Sequence, residues 1–134
     1  MSEKLTQFKG ESITFVETTN VKDGVICDVY AYNDTQDKDF AHITVAAGSC
    51  TPKQRVLAGE KTIEGYSSGV GKLIVTKSDG SELVYTYTES QSMDPVVVQI
   101  GDQMQWCADF DQSLVFYEIC YPPYKDGRFE NLTE

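Results

Sequence analysis

A chain of 134 residues is long enough for one domain with one sizeable hydrophobic core. Its 11 basic and 21 acidic residues give a formal net charge of −10, and a surface this acidic repels nucleic acid and anionic membranes. No apolar run approaches the roughly 20 residues that a membrane span needs. The opening MSEKLTQFKGES has no apolar signal core, so we expect a cytoplasmic protein that binds neither nucleic acid nor membrane.

The chain divides into short predicted strands separated by turn residues. Residues 5–16 hold a weak apolar alternation that indicates an edge strand, and residues 25–32 and 40–47 are rich in β-branched and aromatic residues, which favour strands. From residue 96 onward, three further strands lead to a double-proline stop. No long stretch has a helical period. About eight or nine short strands are typical of an antiparallel sandwich or small barrel, and we expect residues 1–134 to form one such domain.

The clearest local signal is a hairpin in residues 71–87, GKLIVTKSDGSELVYTY. Asp79-Gly80 favours a two-residue type I′ turn, which would place Lys77 opposite Glu82 as a cross-strand charge pair. On that register the side chains divide into two partly apolar sets: Leu73, Val75, Val84 and Thr86 on one face, and Lys72, Ile74, Leu83, Tyr85 and Tyr87 on the other. We therefore expect both faces of the hairpin to be covered.

The four cysteines, Cys27, Cys50, Cys107 and Cys120, form no CxxC pair. Because the start of the chain has no export signal, we expect four free thiols that pack as small hydrophobic side chains rather than act as nucleophiles or metal ligands. His42, the single histidine, lies on a predicted strand. It has the chemistry of a general base, but we expect a partly buried, hydrogen-bonded side chain.

Two regions within residues 40–129 resemble the cupin superfamily, whose small barrels have the double-stranded β-helix fold. The later region, GDQMQWCADFDQSLVFYEICYPPY (residues 101–124), resembles the second cupin motif, with Gly101 at its turn and Met104 at the position of the metal-binding His. The resemblance implies an all-β, jelly-roll-like barrel with its core in about residues 40–129 and with strands from residues 5–32 added to the sheets.

The earlier region resembles the first cupin motif. Its two His positions are occupied by Gln54 and Val56, and its Glu position falls on either Glu60 or Thr62. None of the three His ligands is therefore present, whereas transition metals favour imidazole ligands. We expect neither a metal nor another cofactor, and the family's metal chemistry is not carried over.

Side chains alternate along a strand, so even-numbered positions should follow the former ligand positions into the barrel. This predicts a small-molecule site lined by Gln54, Val56, Thr62, Glu64, Tyr66, Met104 and Trp106, with Ala108 beside it. A mixed apolar and polar lining is typical of such sites, and the Trp106 ring could stack on a sugar or an aromatic group. The alternative is a barrel plugged by ordinary core side chains.

Two functions remain open at this point. The first is a metal-independent protein that binds a small polar, sugar-like or aromatic molecule in the barrel lumen without transforming it. The second is a metal-independent isomerase, epimerase or lyase with Glu64 as base and Tyr66, Tyr85 or Tyr87 as acid. Under both, we expect the Glu64 carboxyl to lie in the lumen with a raised pKa or a hydrogen-bond partner. The resemblance also implies a homodimer, because cupins commonly pair through their sheets.

Overall fold

The computed structural model describes residues 4–88, 94–123 and 129–132. Within those ranges the chain forms strands joined by turns and loops and has no helix, which confirms the predicted all-β class. Tyr124, the last residue of the second motif, lies outside them. In chain order the strands are β1 (Gln7–Phe8), β2 (Glu11–Lys22), β3 (Val25–Tyr32), β4 (Asp39–Val45), β5 (Gln54–Val56), β6 (Lys61–Gly69), β7 (Gly71–Thr76), β8 (Glu82–Tyr87), β9 (Val96–Gln99), β10 (Gln103–Ala108), β11 (Leu114–Tyr121) and β12 (Phe129–Asn131).

The strands form two antiparallel sheets that enclose one interior. One sheet has seven strands in the order β1-β2-β3-β4-β11-β6-β9, and the other has five in the order β12-β5-β10-β7-β8. Strands that are distant in the sequence therefore lie side by side, as β4 and β11 do. Such crossovers between two sheets define a double-stranded β-helix and confirm the predicted jelly-roll-like barrel.

The main core lies between the two sheets, in the space that we call the lumen. Trp106 on β10 and Phe116 on β11 meet there from opposite sheets, with ring centroids 4.3 Å apart. Their buried neighbours come from both sheets: Val25, Ile43, Val45, Val56, Leu73, Val75, Tyr87, Val98, Met104 and Leu114. Burial of this apolar surface from both sides holds the sheets together.

A second core lies on the other face of the seven-stranded sheet. Its buried side chains, which we call the outer patch, are Ile13, Tyr30, Tyr32, Phe40, Tyr117 and Ile119. The Phe8 ring lies 4.4 Å from that of Phe40 and 4.6 Å from that of Tyr117, measured between centroids. Lys9 Nζ donates a hydrogen bond to the Tyr117 hydroxyl at 3.1 Å. Residues 4–9 therefore cover aromatic rings that would otherwise face water.

The predicted hairpin forms, but its loop has three residues rather than two. The Lys77 amide donates to the Ser81 carbonyl at 2.8 Å, and the Gly80 amide donates to the Lys77 carbonyl at 2.9 Å. Gly80 has a φ of +91°, and the Asp79 carboxylate accepts hydrogen bonds from the Ser81 amide and hydroxyl. This is a type I turn followed by a left-handed residue, so the predicted two-residue type I′ turn is wrong.

The extra loop residue changes which side chains share a face, because a shift of one residue moves a strand's side chains to the opposite side. Thr76, not Lys77, lies opposite Glu82, and Lys77 pairs instead with Asp102 at 2.8 Å. The predicted faces are corrected accordingly: Leu73, Val75, Leu83, Tyr85 and Tyr87 share the lumen side, and Lys72, Ile74, Val84 and Thr86 share the outer side. The outer side is thus mixed rather than apolar and no longer argues for a partner, so the homodimer stays a prediction.

A disulfide joins Cys50 to Cys107, which corrects the expectation of four free thiols. The two residues are 57 positions apart in the sequence but face each other across an isolated antiparallel bridge. Cys27 is a half-buried free thiol. Cys120 is buried and in no disulfide, and its Sγ donates to Glu118 Oε1 at 3.5 Å. Disulfides are typical of oxidising compartments, so the cytoplasmic location stays a prediction. The described ranges hold no helix with the length and apolarity that crossing a bilayer requires.

Gly65 on β6 is needed for the packing of the outer patch. It is the cross-strand partner of Tyr117, and the Tyr117 ring occupies the space that a side chain at position 65 would fill. Gly65 is buried and is not in the left-handed region, so its role is to make room rather than to allow a turn.

We therefore expect Gly65→Ala to lower the free energy of unfolding by about 1–3 kcal/mol, the usual cost of overpacking a core. Urea denaturation of the purified variant measures this change. In a Tyr117→Leu background, the same substitution should cost less, because the ring that it displaces is gone. An equal cost in both backgrounds would contradict the assignment.

Candidate functional site in the barrel lumen

Two polar pairs lie on the lumen face of the seven-stranded sheet, where β6 and β11 run side by side. Residues directly opposite each other on paired strands project from the same face of a sheet. Glu118 on β11 is opposite Glu64 on β6, and Cys120 is opposite Thr62 in the next lumen-facing position along the two strands. Two carboxyl groups, one hydroxyl and one thiol are therefore gathered in a small area of an otherwise apolar interior.

Glu64 is the most deeply buried charged residue of this group, with 0% of its surface exposed. The Trp106 indole donates from Nε1 to Glu64 Oε1 at 2.8 Å, and this hydrogen bond joins the two sheets across the lumen. Within the described ranges, neither Glu64 Oε2 nor Thr62 Oγ1 has a partner with the distance and angle of a hydrogen bond. Buried polar atoms in native proteins nearly always have such a partner, so these two atoms mark a point where the lumen is suited to a polar ligand or water.

The surroundings of Glu64 favour its neutral, protonated form. Burial is the main cause that raises the pKa of its carboxyl well above the usual 4.5, and the nearby Glu118 carboxyl raises it further. The Trp106 indole lowers the pKa of Glu64, and so, more weakly, does the Thr62 hydroxyl, which lies near the carboxyl group without the geometry of a full hydrogen bond. Glu64 and Glu118 are thus two adjacent carboxyl groups in different environments, the first fully buried and the second half-buried.

Trp106 is enclosed by other aromatic rings. It is 2% exposed and stacks on Phe116, and its centroid lies 5.4 Å from that of Tyr87, which in turn stacks on Tyr66 at 5.0 Å. The ring therefore has no exposed face on which a sugar or an aromatic ligand could stack. This part of the lumen is core, and the polar edge of the indole, rather than its flat face, is its contribution to the site.

Of the other predicted lining residues, some are buried in the main core and others are only half-buried. Val56 and Met104 are buried in the main core, and Ala108 packs against it. Gln54 lies in the same row as Met104 but is only half-buried, and its amide donates to Asn131 Oδ1 at 2.8 Å. The Tyr66 hydroxyl donates to the Gly69 carbonyl at 2.6 Å, so its proton is already engaged.

The structure gives the positions of Thr62, Glu60 and His42 relative to the lumen. Thr62 is buried in the lumen, whereas Glu60 is exposed before β6 begins, so only Thr62 is available to a lumen ligand. His42 lies in the same cross-strand row as Tyr117, on the outer face of the seven-stranded sheet, and stacks loosely on Phe40. Burial lowers the pKa of His42, and its position places it on the opposite side of the sheet from Glu64.

Sequence reasoning missed Glu118. The signal was present, because Glu118 is the one charged residue in the apolar strand LVFYEICY. A carboxylate in the middle of such a strand indicates either a functional position or a polar partner nearby. Its partner, Glu64, is 54 positions earlier, so the pair can be seen only once β11 and β6 are known to be neighbours.

In the described part of the chain, no group of three or more His, Cys, Asp or Glu side chains is arranged to hold a metal ion. The former ligand positions hold the buried, apolar Val56 and Met104 and the amide of Gln54. None of these three side chains is an imidazole, the ligand that transition metals favour in proteins.

Comparison with solved structures identifies the fold. A structure of oxalate decarboxylase that addresses its substrate binding mode aligns with a TM-score of 0.70 at 20% identity, over 87% of this chain and 30% of that chain. Bacillus subtilis oxalate decarboxylase, studied for its Mn(II) centres, aligns with a TM-score of 0.68 at 20% sequence identity, and the alignment covers 83% of this chain and 29% of that chain. CapF with the inhibitor 3-isopropenyl-tropolone aligns with a TM-score of 0.68 at 12% sequence identity, and the alignment covers 91% of this chain and 35% of that chain. This chain spans about a third of the length of each.

These neighbours are cupin-fold proteins, and the chain has the cupin fold, as the resemblance predicted. No protein-family model matches the chain, and no curated protein matches it either. With at most 20% identity to the three structures above, the likeness establishes the fold alone.

The buried carboxyl predicts a pH dependence of stability. The folded-state pKa of Glu64 is raised, so the folded chain keeps a proton that the unfolded chain loses near pH 4.5. Stability therefore falls as pH rises from about 4.5 to the folded-state pKa. Glu64→Gln keeps the shape and removes this loss, so the melting temperature of the variant minus that of the wild type should increase across that window and then level off.

The measurement is thermal unfolding of both proteins over a series of pH values. Glu82→Gln is the matched control, because Glu82 is exposed on the outer face of β8. The melting temperature of Glu82→Gln minus that of the wild type should change little with pH. If the difference in melting temperature between Glu64→Gln and the wild type stays constant with pH, Glu64 ionises normally and the prediction is wrong.

Proposed function

We propose that the chain binds a small polar molecule in its lumen, with Glu64, Thr62 and Glu118 as the polar contacts, and that it does so without a metal ion. The observation that carries this proposal is the pair of fully buried, unpartnered atoms Glu64 Oε2 and Thr62 Oγ1 in the described part of the chain. A ligand that hydrogen-bonds to both would satisfy groups that are costly to leave unpaired. Specific contacts of this kind, set in an apolar wall, are what orient ligands in small-molecule sites.

Glu118 is the more exposed neighbour of these buried atoms. Its side chain is half-buried, whereas its cross-strand neighbour Glu64 is completely buried. The solvent exposure of the side chains therefore increases from Glu64 on β6 to Glu118 on β11. A ligand that reaches Glu64 from the β11 side would contact Glu118 as well. The enclosed rings of Trp106 and Phe116 close the site on the other side.

The metal-independent part of the proposal rests on what occupies the former ligand positions. Val56 and Met104 are packed against the main core, and Gln54 is bonded to Asn131. A metal at this place would have to displace packed apolar side chains, whereas an organic ligand can use the existing carboxyl and hydroxyl groups directly.

A second candidate function is acid–base catalysis, namely an isomerase, epimerase or lyase. The observation that favours it is the adjacent pair of carboxyl groups, in which Glu64 keeps a proton and could act as the acid while Glu118 acts as the base. Tyr87 is a further candidate in the lumen, because its hydroxyl is buried and unpartnered among the described residues, and burial raises its pKa to about 12.

Native mass spectrometry of EDTA-treated protein, mixed with a small-molecule extract of the producing cells, tests the binding proposal. We expect a non-covalent adduct on the wild type, and a loss of at least about tenfold in affinity for Glu64→Gln, since leaving a buried hydrogen-bonding group without its partner costs about 1–3 kcal/mol. Thr62→Val should also weaken the adduct, and Glu82→Gln should not. Melting temperatures at neutral pH should show that Glu64→Gln is no less stable than the wild type. Equal adducts on all variants would contradict the lumen site, and an adduct lost on EDTA treatment would contradict metal independence.

Exchange in heavy water separates the two functions. The released ligand is recovered after incubation with the protein in D₂O and is examined by NMR for deuterium at carbon. We expect no deuterium for a protein that only binds. Catalysed incorporation that disappears in Glu118→Gln would instead establish acid–base catalysis, since removal and return of a carbon-bound proton is the common step of these reactions.

A further inference from the structure

We infer that the lumen ligand carries a positively charged nitrogen, a protonated amine or a guanidinium, which the carboxyl groups of Glu64 and Glu118 hold. This inference rests on the proposed lumen site and adds the chemical class of its ligand.

Three glutamates share one cross-strand row on the lumen face of the seven-stranded sheet. The row runs from Glu17 on β2 through Val29 and Ala41 to Glu118 and Glu64. Strands are spaced by about 4.8 Å, so Glu118 and Glu64 are near neighbours and Glu17 lies three strands farther out. The spacers between the glutamates are small apolar side chains, which provide no positive charge.

Exposure decreases steadily along this row. Glu17 is exposed, Glu118 is half-buried and Glu64 is fully buried. Charges of one sign that lead from solvent into a low-dielectric interior focus the field and raise the local concentration of the opposite charge. The row therefore forms an acidic path with its inner end at the unpartnered Glu64 Oε2 and Thr62 Oγ1.

The negative charge along this path is not balanced by nearby cations in the described part of the chain. Ion pairs join Lys4 to Asp28, Lys38 to Glu11, Arg55 to Glu130 and Lys77 to Asp102, and none of these pairs includes Glu17, Glu64 or Glu118. The field of these carboxylates is also felt at Cys27. Burial first, and then the charges of Glu118, Asp28, Asp39 and Glu17, raise the pKa of its thiol to about 12.

A bound ammonium or guanidinium would satisfy three requirements of the site together. It donates hydrogen bonds to Glu64 Oε2 and Thr62 Oγ1, it balances the charge of Glu118, and it allows Glu64 to ionise. An anionic ligand would add negative charge beside two carboxyl groups and would be repelled. A neutral polyol could form hydrogen bonds with Glu64 and Thr62 but would leave the charge of Glu118 unbalanced. Dependence of ligand binding on Glu118 therefore distinguishes a cationic ligand from a neutral polyol.

The test uses one indole signal. Trp106 is the single tryptophan of the chain, and its Nε1–H is bonded to Glu64 Oε1, so the indole resonance of ¹⁵N-labelled protein reports on the site directly. Three probes of similar length are titrated at neutral pH and constant ionic strength: n-butylamine, n-butanol and butyrate. We expect n-butylamine alone to shift the indole resonance in a saturable manner.

Glu118→Gln should weaken the binding of n-butylamine by about tenfold or more, since it removes a charge-assisted contact. Glu82→Gln, which removes the same charge from the outer face, should leave it unchanged. Far-UV circular dichroism and melting temperatures confirm that both variants are folded. Binding that is unchanged in Glu118→Gln would overturn the inference.

Saturable binding of n-butanol or butyrate, equal to or tighter than that of n-butylamine, would overturn the cationic class and leave the proposed lumen site intact. If none of the three probes shifts the indole, the inference is also overturned. The lumen site then still depends on the adduct and its loss in Glu64→Gln, which are measured independently of these probes.

Discussion

The hydrogen bond from Trp106 to Glu64 is the interaction on which the interior of this barrel depends. A carboxyl group without any exposed surface is stable only if it is protonated or well paired, because desolvation of a carboxylate is costly. The indole provides one partner from the opposite sheet at 2.8 Å, and stacking on Phe116 and Tyr87 fixes the ring that donates it. A buried polar link of this kind also favours one alignment of the two sheets over others that would leave both groups unpaired.

The same fold therefore supports different interiors. Bacillus subtilis oxalate decarboxylase has been studied for its Mn(II) centres. In this chain, the positions that resemble the ligand positions of the cupin motifs hold Val56, Met104 and Gln54. Val56 and Met104 are part of the core of this chain, and Glu64 and Glu118 on neighbouring strands provide carboxyl groups on the lumen face. A fold of this type specifies where side chains converge, and the side chains themselves determine the chemistry.

Alternation along strands was enough to place Thr62, Glu64, Met104 and Trp106 on the lumen side, because a shift by one residue would have exposed the whole apolar set.

The hairpin register was predicted incorrectly because Asp79-Gly80 suits two loop lengths. The deciding contacts, from Asp79 to Ser81, depend on the geometry of the turn that forms. Contacts between distant parts of the chain were beyond sequence reasoning. The Glu64–Glu118 pair and the Cys50–Cys107 disulfide each require the order of strands in a sheet, which composition and periodicity do not contain.

The cover of the outer patch has a consequence for biosynthesis. Lys9 and Tyr117, which meet there, are 108 positions apart, so residues 4–9 must wait for β11 to be made before they can pack. Long-range contacts of this kind slow folding and leave apolar segments open to other chains in the meantime. During translation, the aromatic rings of β3 and β4 therefore stay without their cover until the last long strand has been made and residues 4–9 pack over them.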